Sequence, residues 1–166
     1  GVLLKMGGYG ILRLSLSIMP EQARDLSVWM AALAAASILY GALVTLMQTD
    51  LKRMIAYSSV SHMGYVLLGA SALGTVGLAG AAMQMFTHGL ITGLLFVLVG
   101  MIYDRTHTRQ IGELSGLAHR MPFIATIMVV AGLASLGLPS LAGFVSEATV
   151  FLGTFARHEF LTSLGV

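Results

Sequence analysis

Three stretches of this 166-residue chain contain no Asp, Glu, Lys or Arg, and their lengths strongly constrain the possible folds. They cover residues 26–49, 54–103 and 121–146. Because about 20 apolar residues span a bilayer as a helix, the first and third stretches each predict a membrane helix. The middle stretch is long enough for two helices, with a turn in the small-residue patch 69–77, since glycine and serine clusters interrupt helices.

The composition also indicates a membrane protein. Hydrophobic residues make up 57% of the chain and charged residues 10%, whereas soluble domains have about 25% charged residues. We therefore predict an all-α polytopic membrane protein, a single-domain bundle of about five transmembrane helices with the last one discontinuous. The five predicted spans are residues 1–17, 27–48, 53–72, 77–102 and 121–156.

The basic residues divide unequally between the two sides of the predicted bundle. Loops 49–53 and 103–120 carry five of them, whereas the opposite side has Arg13, Arg24 and Arg157. The positive-inside rule then predicts that loops 49–53 and 103–120 are cytoplasmic. The first residue is a glycine and no signal-peptide pattern follows, so we expect the chain to be an internal piece of a longer protein.

Charge and cysteine content argue against several classes of function. A net charge of +2 is too small and too scattered for a nucleic-acid surface. The chain has no cysteine, so it cannot ligate iron–sulfur clusters through thiolates or form a Cys-type zinc site. The sequence shows no pattern of redox catalytic residues, and we expect any redox chemistry to take place in other subunits.

Glu147 lies in the last predicted span, close to Pro139 and the flanking glycines Gly137 and Gly143. We expect this span to break near 138–143, because proline cannot continue a helix. A charged group in hydrocarbon is costly, so such groups usually face a protein interior or a water cavity. Broken membrane helices lie beside ion sites in transporters. These features predict that Glu147 belongs to an ion or proton route.

Lys5, His62 and His88 are further candidates for this route. Neither histidine has a charged residue within eight positions, and imidazole exchanges protons near neutral pH. Lys5 could exchange protons if it lies deep in the membrane, or it could extend to the membrane surface as lysines near helix ends do. The histidines could instead be structural residues that hydrogen-bond neighbouring helices. No second His or carboxylate follows either histidine at the spacing of a metal site.

Polar residues recur around both histidines at helical spacing. One stripe consists of Gln84, His88 and Thr92, which are four residues apart and share one face of a helix. The other consists of Ser58 and Tyr65, which lie on the face of His62. These stripes predict either a wet path or hydrogen bonds between helices.

Asp50, Lys52 and Arg53 lie at the start of the third predicted span. The simpler interpretation of these three residues is an ion-pair cluster in a cytoplasmic loop. The alternative is a funnel through which protons enter.

Five segments of the sequence together resemble a known family. They are GVLLKMGGYG at 1–10, QTDLKRMIAYSSVSHMG at 48–64, MQMFTHG at 83–89, RTHTR at 105–109 and GLP followed by GFVSE within 137–147. In this order they are similar to the antiporter-like membrane subunits of proton-pumping NADH:quinone oxidoreductase, respiratory complex I. The RTHTR loop, followed by GLAHRMP at 116–122, most resembles the M subunit, the counterpart of mitochondrial subunit 4.

The resemblance implies roles for individual residues. Lys5 would be the lysine at the midplane junction between two half-channels, His62 and His88 would continue a buried polar chain, and Glu147 would be its terminal acidic residue. Partner subunits would hold NADH, FMN, iron–sulfur clusters and quinone, and this chain would bind no cofactor and no metal. Its partners would be other membrane subunits of complex I, the lipid bilayer and protons, in a bacterial inner membrane. Ala148 departs from the family pattern, in which an aromatic residue commonly follows the glutamate.

Two other classes of function are compatible with the same helices. A cation/proton antiporter subunit, or a membrane subunit of an energy-converting hydrogenase, would carry the same polar residues and would differ in its partner subunits. A non-transporting membrane scaffold is the other class, in which the buried polar residues are structural pairs. In a scaffold, neutralising Lys5 or Glu147 would impair folding rather than proton transfer.

Overall fold

The computed structural model describes residues 2–155, 157–158, 162–163 and 165, and nearly all of them are helical. Helix α1 (Leu3–Gly10) continues through a π-helical segment (Ile11–Ser15) into the short α2 (Leu16–Ile18), and α3 (Pro20–Asp25) follows. The longer helices are α4 (Ser27–Leu46), α5 (Leu51–Ser71) and α6 (Thr75–Thr106). After a 3-10 turn (Ile111–Glu113) come α7 (Leu117–Arg120), α8 (Pro122–Ser135) and α9 (Ala142–Phe155).

The described part of the chain contains no β-strand, and the predicted all-α fold is confirmed there. Helices occupy all five regions predicted as spans, although residues 1 and 156 lie outside the described residues. Two of the described helices, Ser27–Leu46 and Thr75–Thr106, are long and apolar enough to cross a membrane. Helices α8 and α9 have 14 residues each, which is about 21 Å of helix. Only together can they cross a bilayer core of about 30 Å, so the count of five spans stays a prediction.

Two apolar clusters hold the long helices together. One joins α5, α6 and α8 around Ile55 and Leu95, and the other joins α4, α5 and α9 around Leu68 and Val150. Along α5, His62 lies between the first cluster and the second. The polar residues near His62 therefore lie at mid-height in the bundle, with a tightly packed apolar region on either side.

Helices α6 and α9 cross at glycines. A Cβ on Gly153 would collide with the backbone nitrogen of Gly77. Small residues let membrane helices approach to backbone contact, and close packing then stabilises the pair. This close crossing brings Glu147 of α9 to the face of α6 that carries His88.

Helix α8 ends in a Schellman motif, which explains where the chain breaks. The N–H of Gly137 donates to the carbonyl of Ala134 (3.4 Å), and the N–H of Leu138 donates to the carbonyl of Leu133 (3.2 Å). Gly137 has a φ of +68°, which is the left-handed conformation that this motif places just after a helix. A glycine followed closely by a proline is the sequence signal for such an end.

The break covers residues 136–141 and contains Pro139. The prediction of a break near 138–143 is therefore about two residues too late. Gly143 is a buried residue in the first turn of α9 and not part of the break. A Cβ on Gly143 would collide with the carbonyl oxygen of Ala134, so this glycine lets the two half-helices pass closely.

Candidate functional site

Four ionisable side chains from four helices converge at mid-height in the bundle. The Nζ atom of Lys5 (α1) lies 2.6 Å from Nδ1 of His88 (α6). The ring centroids of His88 and His62 (α5) are 5.0 Å apart, and Nδ1 of His62 lies 3.2 Å from Oε1 of Glu147 (α9). We call these four residues the polar axis. They are the four residues that the sequence predicts as the main proton route, and the fold brings them together.

Glu147 has a different environment at each carboxylate oxygen. Oε1 accepts a hydrogen bond from Nε2 of Gln84 at 3.4 Å and contacts His62 without hydrogen-bond alignment. Oε2 lies at the helix break, 2.7 Å from the position that a Cβ on Gly137 would occupy. The carboxylate therefore connects the polar axis with the break between α8 and α9.

Both ring nitrogens of His88 have a partner. Nδ1 faces Lys5, and Nε2 lies 3.0 Å from Oγ1 of Thr92, one helical turn along α6. Gln84, His88 and Thr92 are all buried. The polar stripe predicted from their spacing thus faces the interior of the bundle, and it forms hydrogen bonds to other helices at Gln84 and His88.

Three hydroxyl residues that the sequence analysis did not select complete the network. Ser146 donates a short hydrogen bond to Oε1 of Gln84, and Oγ1 of Thr87 lies 3.2 Å from the Ser146 hydroxyl. Ser135, the last residue of α8, lies 3.4 Å from Nε2 of His62. Their sequence signal is weak, because Ser and Thr are common in membrane helices, but each is next to a candidate residue or to the break.

A small cavity and a larger cleft border the polar axis. The cavity of about 10 Å³ is lined by His62, His88, Gln84 and Glu147 among others, and this volume is close to what one buried water needs. The cleft, of about 330 Å³, reaches from Glu147 and His62 to Leu46 at the end of α4. Within the described residues, no three His, Asp or Glu side chains come together as metal ligands.

Ser58 and Tyr65 line this cleft but do not hydrogen-bond the axis. Ser58 donates to the carbonyl of Ile55 in its own helix. Tyr65 packs edge-on against Phe151 at 5.5 Å, and its ring lies 6.1 Å from that of His62. Both side chains thus border the axis, and their role in a water path stays a prediction.

Asp50 and Lys52 lie at the end of the bundle, away from the axis. Asp50 caps α5 by accepting from the backbone N–H groups of Lys52 (2.8 Å) and Arg53 (3.0 Å). Its other oxygen lies 3.7 Å from Nε of Arg109, and the N–H of Ile111 donates to the carbonyl of Thr49. The two loops predicted as cytoplasmic therefore meet at one end. An ion pair thus exists at this loop, but the cation paired with Asp50 is Arg109, while the predicted partners Lys52 and Arg53 are exposed.

The Asp50 cap gives a prediction about stability. The backbone N–H of Arg53 holds the pKa of Asp50 below its usual value. An ionised cap stabilises the fold above the unfolded pKa of about 3.9, and this contribution is lost as the pH falls through the lower folded pKa. Asp50→Ala should lower the unfolding temperature in detergent at pH 7, whereas Asp50→Asn, which still caps, should lower it less. The Ala variant should differ less from the parent near pH 3, and an equal difference at both pH values would contradict the role of the ionised cap.

Comparison with known proteins places the chain in a family. Residues 1–166 match the family model described as NADH:quinone oxidoreductase/Mrp antiporter, TM. The chain belongs to this family. NAD(P)H-quinone oxidoreductase chain 4 1 of Synechococcus elongatus is 52% identical over 153 residues, which are 92% of this chain and 29% of that protein. NADH-quinone oxidoreductase subunit M of Rickettsia prowazekii is 42% identical, and the match covers all of this chain and 34% of that protein.

A solved structure shares the fold of this family member. A chain of respiratory complex I from Thermus thermophilus with bound NADH superposes with a TM-score of 0.95 at 35% sequence identity. The match covers 99% of this chain and 35% of that chain. The present chain thus spans about a third of the length of the relatives it matches. The resemblance to antiporter-like subunits, the M subunit in particular, is confirmed, and the chain is part of an integral membrane protein.

Proposed function

We propose that this chain is the part of an M-type subunit of NADH:quinone oxidoreductase that carries protons through the membrane. The polar axis is the observation that supports the proposal. Lys5 contacts His88, His88 lies beside His62, and His62 contacts Glu147. Ionisable groups this deep in a membrane bundle are costly, and they mark ion and proton pathways.

The residues of this chain hold and pass protons, while the driving energy comes from electron transfer in partner subunits. Those subunits hold NADH, FMN, iron–sulfur clusters and quinone. A change of charge at one group of the axis alters the proton affinity of the next, because sites in such close contact titrate as a coupled set. Lys5 and Glu147 are the two ends of this set within the chain.

Water reaches the axis through the cleft beside Glu147 and His62. The cleft extends to Leu46, which lies just before loop 49–53. In the proposed orientation loops 49–53 and 103–120 face the cytoplasm of a bacterium, and the chain crosses the inner membrane five times. The cleft then gives access from the cytoplasmic side, and other membrane subunits and lipid cover the outer helix faces.

The two lysines of the chain provide a matched test in the intact complex. Lys5→Met removes the exchangeable proton, and we expect transfer through this subunit to slow by about 100-fold, the effect of losing a positioned proton donor. Lys52→Met should leave transfer unchanged, because its side chain is exposed at the end of α5. The measurement is proton uptake by vesicles that contain the assembled complex, per NADH oxidised.

A third variant separates transport from folding. Lys5→Arg keeps a positive charge but cannot release its proton, so the complex should assemble and still fail to transfer protons through this subunit. Normal proton uptake by Lys5→Met would favour a structural role for Lys5. So would a complex that fails to assemble with Lys5→Met but is fully active with Lys5→Arg.

An antiporter subunit is the second candidate function, because the description of the family includes the Mrp antiporter. Purification of the intact protein distinguishes the two. Redox subunits with iron–sulfur clusters should copurify with the M-type subunit, whereas an antiporter should copurify with membrane subunits alone and exchange a cation for protons without NADH.

A further inference from the structure

We infer that Thr92 is a positioning residue whose hydroxyl sets which nitrogen of His88 carries the ring proton, in step with the charge of Lys5. This role rests on the proposed function, because it concerns the transfer between Lys5 and His88. Oγ1 of Thr92 lies 3.0 Å from Nε2 of His88, and Nζ of Lys5 lies 2.6 Å from Nδ1. Thr92 and His88 are 3% and 4% exposed, so bulk water does not replace the hydrogen bond between them.

The hydroxyl group matters because it both donates and accepts. When Lys5 is charged, its ammonium donates to Nδ1, and the ring proton is on Nε2 and is donated to Thr92. When Lys5 is neutral, its nitrogen accepts from the Nδ1–H group, and the bare Nε2 accepts the hydrogen of the Thr92 hydroxyl. A carbonyl or an amide N–H in place of the hydroxyl would suit one of these states and oppose the other.

The proton count of one transfer balances. The ammonium of Lys5 gives a proton to Nδ1, which leaves a neutral amine and an imidazolium with a proton on each nitrogen. The imidazolium releases its Nε2 proton to a water in the small cavity that His88 and His62 both line, and that water passes a proton to the ring of His62, the adjacent titratable group. The Thr92 hydroxyl then rotates and donates to the bare Nε2, and the proton left on Nδ1 is the one that came from Lys5.

The hydrogen bond of Thr92 differs from those of other helical threonines in the chain. Several other helical threonines donate to the carbonyl one turn earlier, namely Thr45, Thr87, Thr106, Thr126 and Thr149. Thr92 instead bonds the side chain of the residue one turn earlier. Its hydroxyl is thus directed at the ring, which a purely helical role does not require.

The test compares Thr92→Val, Thr92→Ser and a control, Thr126→Val, in the intact complex. Val has nearly the shape of Thr without the hydroxyl, and we expect it to slow proton uptake by about 3- to 10-fold, the effect of one lost hydrogen bond. Ser keeps the hydroxyl and should restore uptake to near the parent rate. Thr126 is exposed and bonds only its own helix, so its Val variant should match the parent.

A pH profile separates positioning from packing. The titratable groups that face His88 are Lys5 of α1, His62 of α5 and Glu147 of α9, whereas helix α8 contains no titratable residue. All three are unchanged in these variants. The pH of half-maximal uptake should therefore move, by up to about one unit, in Thr92→Val but not in Thr92→Ser.

Two results would overturn the inference. In the first, Thr92→Val has the uptake and the pH profile of the parent, while Lys5→Met is impaired. This result would exclude the positioning role of Thr92 and leave the proposed function standing. Equal impairment of Thr92→Val and Thr92→Ser would show that packing is responsible. If Thr92→Val fails to assemble, Thr92→Ser and Thr92→Ala give the same comparison, since they differ by one hydroxyl. Normal uptake in both Lys5→Met and Thr92→Val would instead contradict the proposed function.

Discussion

Glu147→Gln is expected to stop proton transfer through this subunit while the complex still assembles. Gln has the same shape as Glu and can still hydrogen-bond the side chain of Gln84, whose Nε2 lies 3.4 Å from Oε1 of Glu147 in the parent. An amide, however, cannot take up a proton at neutral pH. The loss of a positioned acid or base slows proton transfer by about 10²- to 10⁴-fold. Proton uptake per NADH oxidised, in vesicles with the intact complex, measures the effect.

The matched control is Glu21→Gln, which changes an exposed carboxylate in α3 and should leave uptake unchanged. Normal uptake in Glu147→Gln would remove this carboxylate from the route. Loss of the assembled complex in Glu147→Gln would instead support a structural pair between Glu147 and His62, as a membrane scaffold requires.

Gly137→Ala should impair both the helix break and the position of the Glu147 carboxylate. Gly137 has a φ of +68°, and a left-handed conformation costs an L-residue about 1–2 kcal/mol. The new methyl group would also lie 2.7 Å from Oε2 of Glu147, so the carboxylate must move. We expect a lower unfolding temperature and at least a severalfold loss of proton uptake.

Gly132→Ala is the control for this variant, because Gly132 lies within α8 and a Cβ there meets no atom within 4 Å. Alanine in an unobstructed helical position stabilises a helix by about 0.5–1 kcal/mol relative to glycine. Equal behaviour of Gly137→Ala and Gly132→Ala would show that neither the left-handed turn nor the contact with Glu147 matters.

The helices and the identity of the axis could be predicted from the sequence, because both follow from strong local signals. Charge-free stretches indicate membrane helices, and an isolated Glu147 or His88 within a predicted span is conspicuous against its apolar neighbours. The break is predictable from Pro139, but its start is not, because a Schellman motif with Gly137 in the left-handed conformation already ends α8 at Ser135. Gly143 serves close packing instead.

Contacts between helices could not be predicted, because they depend on how the helices are rotated and spaced. The sequence shows that Gln84 shares a face with His88, but not that its amide bonds both Glu147 and Ser146 of α9. Nor does it show that Asp50 meets Arg109, which lies 59 positions later in the chain. Ser135 gave only a weak local signal, its place next to the break, and the sequence does not show that it lies beside His62.

The most direct test of a single axis is the proton-to-electron ratio of the intact complex with Lys5→Met, Glu147→Gln and the two combined. Residues of one route fail together, because either substitution already blocks the route. The double variant should therefore show the same ratio as the more impaired single variant, rather than the sum of two independent losses. If the proton-to-electron ratio of the double variant falls by the sum of the two single effects, Lys5 and Glu147 do not share one route.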